Sequence, residues 1–273
     1  MKQILIATDF SNCAGNAMEY ALELGRVLNL EVCAIHAIGS MEGVNNNTYN
    51  AIYIEDYQNN KKQALIEWVN GFAARDQYKG IQVTTASEVG SVSGVITKYM
   101  EANPVEILVM GTMGSTGISG LFGSNVSAMV SKTHIPTLII PMESKFTADP
   151  VISLATDFSS DLSAADVNAL NELIAAFKSE KLDVLYVNEK PDVKYIETGE
   201  GILKKLINKT TLVFNYINDS NPTSGILKFI EENHTDILCV VKHHHNLVYR
   251  IFNRSTVNQV MNKAIKAILV LHE

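Results

Sequence analysis

The sequence predicts an α/β fold of two tandem doubly wound domains, each with a mostly parallel five-stranded sheet flanked by helices. Three observations carry that prediction. Ile6-Ala7-Thr8-Asp9-Phe10-Ser11 recurs as Leu154-Ala155-Thr156-Asp157-Phe158-Ser159, each copy ending an apolar run and preceding a helical pattern. Short, almost wholly apolar segments alternate with amphipathic stripes along both halves, as expected of parallel strands buried on both faces. The two halves also end alike, with Glu106–Met110 matching Asp236–Val240 and Pro136–Ile140 matching Ala267–Leu271.

In the first half the strands fall at 2–7, 31–37, 81–87, 105–110 and 136–141. Ala14, Ala17, Met18, Ala21, Leu24 and Leu28 share one helical face between the first two strands. In the second half the strands fall at 151–155, 181–187, 210–217, 236–241 and 266–271, and Leu162, Ala165, Ala169, Leu173 and Phe177 form the matching stripe. Before the last strand of each half, Ser124, Val126, Met129 and Val130 pair with Ser255, Val257, Val260 and Met261. The domains are therefore drawn as 1–143 and 150–273, joined by a short linker that tethers two sheets side by side. The segment Gly39–Asn60, with Asn45-Asn46-Asn47 and three tyrosines, has no counterpart of equal length in the second half. It reads as a mobile connection, with a lid as the alternative.

Composition narrows the function. The chain has 273 residues, 47% hydrophobic and 19% charged, within the ordinary globular range. A net charge of -7 argues against nucleic acid as partner, because phosphate backbones need clustered Lys and Arg. The apolar run before Asp9 is too short for a secretory signal, and no apolar stretch reaches a membrane span, so a cytoplasmic protein without membrane contact is expected. Cys13, Cys33 and Cys239 lack paired spacing and read as buried, reduced thiols.

The chemistry concentrates after Met110, in Gly111-Thr112-Met113-Gly114-Ser115-Thr116-Gly117-Ile118-Ser119-Gly120-Leu121-Phe122-Gly123-Ser124-Asn125. Glycines let backbone amides approach a phosphate closely, and Ser124 opens a helix whose N-terminus attracts anions. Phosphate is the natural ligand, and a glycine-rich turn without ligand is the alternative.

The Thr-Asp-Phe-Ser turn, the strand ending in Met110, the Gly111/Gly114 pair and the later Gly123-Ser124 together resemble the universal stress protein family, as a tandem pair covering essentially the whole chain. The family motif reads G-x2-G-x9-G-S/T. Here eight residues, Ser115 to Phe122, separate Gly114 from Gly123, one fewer than the motif has. The internal repeat agrees: Glu106 and Asp236 lie 130 residues apart, Ser124 and Ser255 lie 131 apart. Two outcomes stay open, absorption of the deletion by Gly117 and Gly120 or a loop tightened onto the site.

The resemblance implies an ATP- or AMP-binding site with adenine and ribose near Ala7, Thr8, Asp9, Ala37 and Met110. It implies phosphates at Gly111, Gly114, Gly123, Ser124 and Asn125, with Mg2+ reached indirectly by Asp9. Each position has a plainer reading. Ala37 and Met110 would be core in any such fold, and Asp9 would satisfy amides at the turn or cap the first helix, a structural role its repetition as Asp157 favours. The second half carries Val241-Lys242-His243-His244 where the first has Gly111-Thr112-Met113-Gly114, and Arg254-Ser255 where the first has Gly123-Ser124. Side chains there fill the phosphate space, so one nucleotide per chain is expected. Neighbouring histidines in the loop Lys242–His245 point to opposite sides and form no convincing metal site.

No Lys, Arg, Asp or Glu lies between Gly111 and Ser124, so fast catalysis is not expected and slow ATP hydrolysis is the ceiling. His36, at a strand end, reads as a hydrogen-bonded structural residue rather than a base. The leading expectation is a nucleotide-binding protein of stress response or signalling; a nucleotide-free interaction module and a slow ATPase are the alternatives. By the same resemblance, the apolar last strands join the halves as an internal pseudo-dimer and leave room for a homodimer.

Overall fold

The computed structural model describes residues 2–39, 48–112, 124–158, 162–187, 193–242 and 267–272. Ten strands form one sheet. They are β1 (Gln3–Ala7), β2 (Glu31–Ile38), β3 (Val83–Val89), β4 (Val105–Gly111), β5 (Thr137–Ile140), β6 (Ile152–Ala155), β7 (Lys181–Val187), β8 (Thr211–Ile217), β9 (Ile237–Lys242) and β10 (Ala267–His272). Their spatial order is β3-β2-β1-β4-β5-β10-β9-β6-β7-β8. All neighbours are parallel except β5 and β10, which pair antiparallel with Leu138 opposite Leu269. The halves are thus not two sheets side by side. Each contributes five strands in the same order, and the last strand of each closes the other's edge.

Helices cover both faces. The first half has α1 (Asn12–Leu28), α2 (Thr48–Ala73), α3 (Val92–Ala102) and α4 (Ser124–Lys132); the second has α5 (Asn168–Phe177), α6 (Val193–Leu206) and α7 (Pro222–Glu232). One core packs α1, α2, α5 and α6 residues such as Met18, Leu65, Leu173 and Leu203 against Ile4, Ile6, Leu154 and Val184. The opposite core packs Ile96, Met129, Ile226 and Ile230 against Leu5, Leu108, Leu185 and Leu238. Alternate side chains of the same strands serve the two cores, which is why those strands are apolar throughout.

Local signals set the helix ends. Ser11 caps α1 by accepting the Ala14 amide, and Ser91 caps α3 by accepting that of Gly94. Asn221 caps α7 ahead of Pro222, whose missing N–H costs nothing at that position. Asn29 after α1 and Lys178 after α5 end their helices in the left-handed conformation. The repeat extends to such details: Asn103 donates to the Tyr99 carbonyl and Asn233 to that of Phe229, both closing the last turn.

Two sequence expectations need correction. Asn45–Asn47 lie outside the described residues, but from Thr48 the segment read as a connection is helical, the start of the 26-residue α2. Its apolar grip comes late, at the buried Leu65 and Val69 with Trp68 and Phe72 partly buried beside them, while Ile52 and Tyr53 are exposed, so no amphipathic stripe announces the helix at that point. In the second half the helix begins at Asn168, well after Leu162. Ser163 and Asp166 bond locally in that stretch, competing with helix formation, although Leu162 is still buried.

The linker is firmly held. Asn16 of α1 donates to the Pro141 carbonyl at 3.0 Å and to that of Ser144 at 2.7 Å, and accepts from Lys145 Nζ at 3.0 Å. Phe146 then inserts between Tyr20 of α1 and Phe177 of α5, with ring centroids 5.3 and 5.8 Å apart.

Candidate functional site

In the first half the strand order reverses between β1 and β4, and in open α/β sheets the crevice at the carboxyl ends of such strands is where ligands bind. Ala7 ends β1 with Met110 of β4 on one side and Ile35 of β2 on the other. Ala37 lies two residues beyond Ile35, and Gly111 follows Met110. The Thr8 amide donates to the Ile35 carbonyl at 2.9 Å, keeping the turn against β2. Ala7, Thr8, Ala37, Met110 and Gly111 are therefore gathered at one end of three adjacent strands.

Ser124 and Asn125 are exposed at the start of α4. Because α4 leads into β5, parallel to β4, its N-terminus lies toward the same end of the sheet. Gly114 and Gly123 lie outside the described residues, as do His243, His244, His245 and Arg254.

The turn after β1 is rigid and repeated. Thr8 Oγ1 accepts the Phe10 amide at 3.0 Å, and Asp9 Oδ1 accepts the Ser11 amide at 3.0 Å. Phe10 adopts φ 65°, uncommon for an aromatic residue, and Phe158 repeats it at φ 57° with its amide on Thr156 Oγ1. Asp9 thus has structural work of its own in the turn.

Phe10 packs against His36 with the rings tilted, centroids 4.4 Å apart, and His36 Nδ1 lies 2.9 Å from the Thr8 carbonyl. A carbonyl can only accept, so Nδ1 is the donor in this contact. This agrees with the structural reading of His36. In the second half Tyr186 takes its place and stacks on Phe158 at 4.9 Å.

Gly111 has a packing reason as well. A Cβ there would meet Cys13 Sγ at 2.9 Å and the Cys13 carbonyl oxygen at 3.0 Å, so α1 approaches the end of β4 only because the residue is glycine. Cys13, read from sequence only as a buried thiol, and Thr112, read only as part of the loop, form the base of this crevice: both are buried, their side-chain heteroatoms 3.7 Å apart. The three cysteines are free and buried, and burial pushes the Cys239 thiol well above its ordinary range.

The second half departs at the same places. Register pairs Ala155 with Val240 as Ala7 pairs with Met110, which sets Val241 where Gly111 stands and Val187 where Ala37 stands. Gly225 of α7 accommodates Val187: a Cβ on it would come 2.7 Å from Val187 Cγ1. At the same point of α3 the first half has Val95. Small and large have changed places, leaving the first half's strand end with the smaller side chain.

Among the described residues no group of His, Cys, Asp and Glu is arranged to hold a metal, and no helix is long and apolar enough to cross a membrane.

The sequence model of the Universal stress protein family matches residues 1–141. The chain belongs to this family. Among curated members it is 25% identical over 156 residues to Universal stress protein MJ0531 of Methanocaldococcus jannaschii, a match covering 53% of this chain and 84% of that one. It is 23% identical over 145 residues to Universal stress protein YxiE of Bacillus subtilis, covering 50% of this chain and 97% of that one. A solved universal stress protein from Archaeoglobus fulgidus matches at TM-score 0.72 and 15% identity, covering 99% of this chain and 98% of that one. That likeness extends the fold over both halves, so the chain is a tandem universal stress protein.

Proposed function

We propose that this universal stress protein binds one adenine nucleotide, ATP or AMP, in its N-terminal half, and acts in stress response or signalling through what that occupancy does to a partner surface. The observation that carries the reading is the contrast at the strand-order reversal. Ala37 puts a smaller side chain at its strand end than Val187 does in the repeat, and Gly111, packed on Cys13, adds none where Val241 stands. Adenine and ribose would lie against Ala7, Thr8, Asp9, Ala37 and Met110. The phosphates would be held by amides of Gly111, Gly114, Gly123, Ser124 and Asn125, where the N-terminus of α4 favours negative charge. Bound phosphates would bring a Mg2+ within reach of Asp9, whose Oδ1 already holds the Ser11 amide. The units 1–143 and 150–273 divide the work, one binding and the other stabilising the sheet.

Titration calorimetry and thermal shift with ATP and AMP test this. A stoichiometry near one per chain, abolished in Gly114→Lys, is expected. No heat and no shift at about 1–5 mM nucleotide sinks the reading and leaves a nucleotide-free interaction module. Turnover above the protein-free blank that disappears in Asp9→Ala would make the protein a slow ATPase.

A further inference from the structure

On the sheet face that carries α1 and α2 lies a cavity of about 310 Å³, behind the turn whose front edge is Thr8 and Asp9. Its two sides differ in chemistry. One is aromatic: Phe10 and Trp68 meet edge to face at 6.0 Å, and Trp68 meets Phe72 likewise at 4.9 Å. These rings are only partly buried against the core, so apolar faces remain toward the cavity.

The other side is cationic. Lys145 Nζ is anchored by one hydrogen bond to the neutral Asn16 amide oxygen, and among the described residues no carboxylate pairs with it. An ammonium has three donors, so two remain to be used. Asn16 is 8% exposed and fully engaged, through Nδ2 on two linker carbonyls and through Oδ1 on the exposed Lys145, so the acceptor that Lys145 uses is held in place. Arg75 stacks its guanidinium 4.7 Å above the Phe72 ring and is neutralised by Glu19 at 2.6 Å. The floor is the first turn of the 17-residue α1, which contains no acidic residue and is capped by the neutral Ser11 hydroxyl.

An ammonium with no carboxylate partner among the described residues, lining the same cavity as an edge-to-face aromatic wall, fits one ligand class. We propose that this cavity is a second ligand site, for a small aromatic carboxylate whose ring lies against Trp68 and Phe72 and whose carboxylate meets Lys145. The volume lies at the small end of ligand pockets, about 300–1,000 Å³, and suits an acid of one or two rings. A charge-assisted hydrogen bond from Lys145 supplies orientation, and ring contact supplies most of the burial. The site is independent of the nucleotide reading, since none of its ligand-facing groups belongs to the residues proposed to hold nucleotide.

Trp68 is the only tryptophan in the chain, so its emission reports from the cavity wall itself. The experiment is a fluorescence titration of the full chain with benzoate and phenylacetate, against benzyl alcohol and acetate as controls lacking one feature each. Saturable changes are expected for the two aromatic acids below about 10 mM, with both controls at least about tenfold weaker. Lys145→Gln and Lys145→Met, each checked for native circular dichroism, should weaken the acids about tenfold while leaving benzyl alcohol unchanged. Gly15→Leu, which projects a side chain from the cavity floor toward Phe72, should abolish saturation. Absence of saturation by either acid, equal binding of benzyl alcohol, or wild-type affinity in a folded Lys145 variant would each overturn the proposal.

Discussion

Two glycines in one helix make opposite predictions for the same substitution. Gly199 and Gly201 both lie in α6, where alanine is favoured over glycine by about 1 kcal/mol from backbone entropy alone. A Cβ on Gly201 meets nothing within 4 Å, so Gly201→Ala should keep the whole gain. A Cβ on Gly199 would run into Phe158 Cβ and come 2.6 Å from Cγ and Cδ1 of that side chain's ring. Phe158 cannot step aside: it is 2% exposed, its backbone sits at φ 57°, and its ring is stacked on Tyr186. Overpacking of well-packed cores costs about 1–3 kcal/mol, and three atoms well inside contact distance put Gly199→Ala at the upper end. Subtracting the helix gain leaves a net loss of about 2 kcal/mol. At about 2–4 °C per kcal/mol for a chain of this size, Tm should fall about 4–8 °C for Gly199→Ala and rise about 2–4 °C for Gly201→Ala. Differential scanning calorimetry of the two variants beside the parent measures both. If they shift Tm in the same direction by similar amounts, α6 does not lie on Phe158 as described.

Three further outcomes follow from the hydrogen bonds. Asn16→Ala removes both linker bonds and the Lys145 anchor, and should cost about 2–4 kcal/mol in urea unfolding; a loss under about 0.5 kcal/mol would mean the linker is held elsewhere. Thr8→Val and Thr156→Val each deprive a phenylalanine amide of its acceptor and should cost about 1–2 kcal/mol alike; a loss in one variant only would show that the turns are not equivalent. The Tyr99 phenol is pushed from its ordinary 10.0 up to about 12, by burial first and then by its hydrogen bond to Cys33. A raised phenol favours its neutral form on folding, so this stabilisation is complete below pH 10 and fades as pH climbs toward 12. Stability measured across that window should fall less steeply in Tyr99→Phe than in the parent, and identical slopes would count against the shift.

Much of this architecture is legible in the sequence because burial on both faces forces strands such as Ile4–Ile6 and Ile237–Val241 to be apolar at every position. The repeat is legible because Thr8, Asp9 and Phe10 have jobs in the turn that any copy must also fill. What was hidden depends on tertiary context. Nothing about phenylalanine announces a positive φ; the hydrogen bond that the Phe10 amide donates to Thr8 Oγ1 and the ring's packing on His36 and Trp68 hold it there. Helix α2 leaves Ile52 and Tyr53 exposed, so its early part carries no periodic signal and depends on the later grip of Leu65 and Val69. For the candidate site, the glycines could be read, but the packing role of Gly111 against Cys13 could not, because the two are ninety-eight positions apart in the chain and meet only when α1 crosses the end of β4. The exchange of Ala37 and Val95 for Val187 and Gly225 was equally invisible, since it takes strand register to recognise the four as equivalent.

The antiparallel seam between β5 and β10 has a consequence for how the molecule can change. In an assembly of identical subunits, every substitution appears on both sides of the axis, so a site cannot be lost from one side alone. Here the two sides are written separately in one gene product. The seam also does not dissociate on dilution, because the tether keeps its strands at a high effective concentration. One side can therefore trade small residues for bulky ones at its strand ends while continuing to complete the other side's sheet.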